Sequence, residues 1–83
     1  MSHIEKITGE LRALAAGVER AQALASAADD QAQEVALRAA GAGFAAVAAG
    51  LTRVRDGISA VRGGLGSLAT TIAEARQLGS AGN

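Results

Sequence analysis

The chain has 83 residues, eight basic and eight acidic side chains, one histidine and no cysteine. That length allows one domain at most. A net charge of zero gives no general attraction to nucleic acid or to an anionic membrane, and without cysteine there are no disulfides and no thiolate chemistry.

Phe44 is the only aromatic residue, whereas a rounded core leans on aromatics for its buried area. Proline is absent, and alanine, leucine, glutamate, glutamine and arginine all favour helix. The fold class expected is therefore all-α. The charges divide unevenly: Glu5, Glu10, Glu19, Asp29, Asp30 and Glu34 outnumber Lys6, Arg12, Arg20 and Arg38 in the first half, while Arg53, Arg55, Arg62 and Arg76 outnumber Asp56 and Glu74 in the second. Two halves of opposite sign suit packing against each other.

The chain begins Met-Ser-His-Ile-Glu-Lys, without the basic and apolar regions of a signal peptide, so a cytoplasmic location is expected. Ser2 is placed to cap a helix, and Glu5 three residues later completes a capping-box pattern. From there Ile4, Ile7, Leu11, Leu14, Val18, Ala21, Ala25, Ala28, Ala32 and Val35 step by three and four, the spacing of one helical stripe. The first helix is expected over about residues 3–40, with Ser26 to Asp30 the one stretch where a break could fall.

Extending that stripe predicts apolar positions at 39, 42 and 46, but the next stripe starts at Phe44. The phase slips at Gly41-Ala42-Gly43, where two glycines supply the left-handed conformations that stop and reverse a helix. Gly41, Gly43 and Phe44 are therefore read as turn residues.

The second helix is expected over about residues 44–78. Phe44, Val47, Leu51, Val54, Ile58, Val61, Leu65, Leu68, Ile72 and Ala75 follow the same three-four step, the a and d seam of a coiled coil. Gly43, Gly50, Gly57 and Gly64 form a second column at seven-residue spacing. Glycine costs roughly 1 kcal/mol in a helix interior, so the column suggests close approach of another backbone. Gly63-Gly64-Leu65-Gly66 could break the helix, but Leu65, Leu68 and Ile72 keep the heptad and favour continuity. Residues 79–83 read as a flexible tail. The run Ala39 to Leu51 is shorter than the about 20 residues that span a bilayer.

The architecture expected is an antiparallel helical hairpin over residues 1–78, in which facing residues sum to roughly 84–86. Its seam is read as Leu11, Leu14 and Val18 with Leu51, Val54, Ile58, Val61, Leu65 and Leu68. Ala25 then lies near Ile58 and Ala32 near Leu51, small against large. On the flank Asp29 meets Arg55, and Asp30 lies near Arg53. Such a hairpin buries only one stripe per helix, and small chains without disulfides or metals commonly oligomerise. Two hairpins are expected to form a four-helix bundle, with Gly50, Gly57, Gly64 and Leu24, joined by Val35 and Leu37, as the association face.

Chemistry finds little to stand on. His3 has no set of converging ligands, and Asp29, Asp30 and Glu34 lack the oxygen density calcium needs. Gly41-Ala42-Gly43 lacks the strand and third glycine of a dinucleotide site, and no Ser or Thr has a histidine or lysine poised as its base. Arg53, Arg55, Arg62 and Arg76, without lysines or aromatics among them, fall short of a nucleic-acid footprint. No catalytic, metal or cofactor-binding residue is expected, and no enzyme, nucleic-acid or small-molecule reading is favoured.

A long helix to about residue 40, a glycine-marked turn beside one aromatic, and a second long helix resemble the WXG100 (ESAT-6-like) proteins. The turn carries Gly-Ala-Gly-Phe instead of Trp-x-Gly, and Gly43 and Phe44 are the residues that carry over. That resemblance implies a dimerising hairpin exported by type VII secretion, a route independent of a signal peptide. The run from Gly43-Phe44-Ala45-Ala46-Val47 to Arg53-Val54-Arg55-Asp56-Gly57-Ile58 is also similar to small Ala-, Gly- and Arg-rich actinobacterial proteins. The reading favoured is a non-enzymatic, self-associating module that binds itself or a related hairpin. An exported type VII-like substrate or partner comes second, and a peripheral membrane binder third.

Overall fold

A computed structural model describes residues 3–81 of the chain, and side chains over 3–79. Two helices account for nearly all of it: α1, His3–Gly41, and α2, Ala45–Ala81, with no strand among the described residues. The molecule measures 62 × 17 × 11 Å, a pair of antiparallel rods. The Ser2 cap lies outside the described residues. Glu5 in the first turn and Arg38 in the last suit the dipole of α1, and Arg38 also reaches Glu34 at 3.1 Å, one turn back.

Neither helix breaks. Ser26 to Asp30 stays helical, because the Asp29 carboxylate is held across the hairpin and does not compete for its own backbone. Gly63 to Gly66 stays helical too; Leu65 and Ile72 keep that segment against α1. The tail expected from residue 79 is corrected in part, since α2 continues to Ala81; residues 82 and 83 lie outside the described range.

The turn is tighter than its two glycines suggest. Gly41 remains the last residue of α1, and only Gly43 has a positive φ, 86°. The Gly43 amide donates to the Ala40 carbonyl at 3.1 Å and the Phe44 amide to the Ala39 carbonyl at 2.8 Å. These are the two bonds of a Schellman motif, which satisfies carbonyls that the end of a helix leaves open. The Phe44 carbonyl then accepts from the Ala48 amide at 3.0 Å, so Phe44 closes one helix and starts the next. Gly41 is therefore corrected from a left-handed turn residue to an ordinary helical one, and Phe44 from the first residue of α2 to its cap.

The seam is rotated from the expected one. Along α1 the residues turned toward α2 are Leu11, Ala15, Val18, Gln22, Ala25, Asp29, Ala32, Ala36 and Ala39. Along α2 they are Ala48, Leu51, Arg55, Ile58, Leu65, Ala69 and Ile72. In heptad terms, with Leu11 and Leu51 at position a, the helices meet through a and e. Leu11, Val18, Leu51, Ile58 and Leu65 thus face the neighbouring helix, whereas Leu14, Val54, Val61 and Leu68 of the expected seam stay about half exposed. Alanine at Ala15, Ala36, Ala48 and Ala69 makes the e column thin, so rolling it inward brings the backbones closer than stacking d on d. Among the described residues Val18, Ala32, Ala39 and Ile72 are the buried apolar ones, and no large side chain is fully buried.

A Cβ added at Gly43 would meet nothing within 4 Å, so its substitution tests backbone conformation alone. Gly43→Ala is expected to lower the urea unfolding free energy by about 1–2 kcal/mol, the penalty of a left-handed L-residue. Gly41→Ala is expected to raise it by up to about 1 kcal/mol, as alanine replaces glycine inside a helix. Equal effects of the two would overturn this account of the turn.

Candidate functional site

The two broad faces of the hairpin differ in character. On one, Ser26 and Ser59 flank a shallow groove with Gln22, Arg62 and Gly63, and Arg12 and Ala73 line another with Thr8, Arg76 and Gln77. These are b and e positions of α1 and b, e and f positions of α2. In an antiparallel pair with matched heptads, the d columns must then lie together on the opposite face, about 80° around each helix from the seam centre. There α1 presents Ile7, Leu14, Ala21, Ala28 and Val35, and α2 presents Val47, Val54, Val61 and Leu68. The seven large members of this set are between 44 and 56 % exposed.

Behind the d column of α2 runs the glycine column. Gly50 is half-buried, while Gly57 and Gly64 are exposed, and a Cβ at either of the latter would meet nothing within 4 Å. The close approach that the spacing suggests is therefore not made by α1. Leu24, 72 % exposed, occupies the matching g column of α1, on the same broad face. Leu37, also exposed, sits at position f and is removed from the expected association face.

Asp29 and Arg55 both occupy e positions in the seam. The Arg55 Nε donates to Asp29 Oδ1 at 3.0 Å and its Nη2 to Oδ2 at 3.2 Å, a two-pronged pair with fixed geometry. The Arg55 hydrogen bond holds the Asp29 carboxyl below the usual carboxylate range against the opposing effect of partial burial, with help from the charges of Arg55 and Arg62. The same bond raises the Arg55 pKa, and Asp30 and Asp56 add to it. The pair is thus part of the interface and not its flank, and Asp30 acts on Arg55, with no Asp30–Arg53 ion pair among the described residues. Ala25, Ala32, Leu51 and Ile58 are likewise buried or half-buried in the seam.

Among the described residues no three metal-capable side chains cluster, His3 is exposed, and no helix is long and apolar enough to cross a membrane. The grooves of the polar face are lined by amide, hydroxyl and guanidinium groups together with glycine and alanine. Residues that periodicity missed are Ala15, Gln22, Ala36, Ala48 and Ala69 of the seam. They share seven-residue spacing with Asp29 and Arg55, the one signal that could have found them. No protein-family model, curated protein or solved structure matches this chain.

Because the folded-state pKa of Asp29 is depressed, its contribution to stability is fully present above the ordinary carboxylate pKa and is lost as pH falls through the lower folded value. Asp29→Asn is expected to lower the thermal midpoint at pH 7, and Asp30→Asn to leave it nearly unchanged. The gap between wild type and Asp29→Asn should close as the solution is acidified through that window. A gap that persists at the lowest pH would show that the charge is not what the pair contributes.

Proposed function

We propose that this chain is a non-enzymatic, self-associating helical hairpin, a protein–protein interaction module whose working unit is a pair of hairpins in a four-helix bundle. The observation that carries the proposal is the apolar d face. A bundle core is built from a and d positions together, and here both columns are apolar although the hairpin uses only a and e. Supporting it is the exposed area of 5853 Å². A compact monomer of 8.2 kDa exposes about 4,500 Å². The difference, roughly 1,300 Å², is of the size that one partner of a stable pair covers, about 800 Å² or more.

The partner of this module is a second copy or a closely related hairpin, recognised through apolar matching and not through charge, since the d columns carry no ionisable group. Sedimentation equilibrium at micromolar concentration is expected to give twice the 8.2 kDa chain mass. Val54→Glu with Val61→Glu should shift the mass to one chain and reduce helix content, because charges would replace half-covered apolar side chains. A wild-type mass of one chain across that range would sink the proposal.

A further inference from the structure

We infer that the second copy docks d face on d face with its turn at the same end, related by a two-fold axis parallel to the helices, so that α1 of each copy lies on α2 of the other. This deepens the self-association reading and rests on it. The argument starts from exposure: the apolar columns of both helices stand on one broad face while the other face is lined by polar and small groups. A face of this length with zero net charge over the chain fits a second apolar face better than a charged lipid surface, for which a basic polar side is the usual companion.

The hairpin already fixes the register. Asp29 is opposite Arg55, and a two-fold axis parallel to the helices preserves every residue's height along the molecule. Leu14 of one copy therefore comes nearest in height to Leu68 of the other, Ala21 to Val61, Ala28 to Val54, and Val35 to Val47, each pair within about 3 Å of the level set by Asp29 and Arg55. Small meets large in the middle of the face, so both intercopy seams have the same thickness. On the rim, Leu24 projects from α1 beside Gly57 of the opposing α2. A long side chain over a glycine fills the space that a Cβ added at Gly57 leaves empty in the hairpin.

The opposite arrangement, with turns at opposite ends, matches less well. It stacks Ala21 on its own copy and Val61 on its own copy. One intercopy seam would then be drawn together over alanine and the other propped apart by valine, although helix separation follows the side chains at the contact. The two faces would touch unevenly along one side.

The chain has no cysteine, so Ala42→Cys at the exposed turn carries a single nitroxide label. In the full-length dimer, double electron–electron resonance is expected to give a label separation within about 30 Å, because neighbouring helices sit about 8–10 Å apart. A separation near the 62 Å length of the molecule would overturn the arrangement while leaving self-association intact. A wild-type mass of one chain would overturn both.

Gly57→Leu gives a second readout. Its side chain enters open space in the hairpin, so helix content is expected to hold while the dimer dissociation constant rises at least tenfold. Gly63→Leu, on the other side of α2, is expected to leave that constant within twofold. A dimer indifferent to Gly57→Leu, or equally weakened by both, would overturn the assignment of the face.

Discussion

Two helices lying side by side can cover only one strip of each other, and the width of that strip is set by how closely the backbones approach. Here the inward columns are a and e, and the e column carries alanine at four places. Small side chains let the rods come together, but they also limit how much apolar surface the contact removes from water. The large d residues, Ile7, Leu14, Val35, Val47, Val54, Val61 and Leu68, are left at the border of the seam. Every other feature of the molecule follows from that division: the thin core, the elongated outline and the contrast between its two faces.

Within so thin a contact, the Asp29–Arg55 pair has a role beyond its attraction. Alanine against alanine tolerates sliding, because neighbouring rungs of the seam look alike. A two-pronged hydrogen bond between residues 26 apart in sequence does not tolerate a shift of one turn, since its geometry is lost at once. The pair therefore selects one register among several that packing alone would allow. It also tells e from d, because it forms only when the helices are rolled so that both e positions point inward.

The turn makes the complementary choice at the other end. A Schellman ending on Gly43 followed directly by the Phe44 cap leaves only residues 42–44 between the helices. So short a connection forces neighbouring antiparallel helices. Long helices on a short turn keep the apolar d columns on one side along the whole molecule, which is the geometry a flat docking face requires. The function proposed for the chain comes from this coincidence of turn, register and roll, and from no chemically reactive group.

The sequence by itself determined the helical class, the reversal beside Gly43 and the level pairing of Asp29 with Arg55. All three depend on local spacing, on a glycine needed for positive φ, or on the two ends of a hairpin being equally distant from its turn. It could not decide which side of the a column turns inward. Positions d and e lie on either side of a, about 60° and 40° away, and an apolar count favours d because valine and leucine outweigh alanine. Only the tertiary structure settled the roll, since closeness of approach depends on both helices at once: where small columns meet, backbones draw nearer and a charged pair can close. The bulky columns were thereby left facing outward.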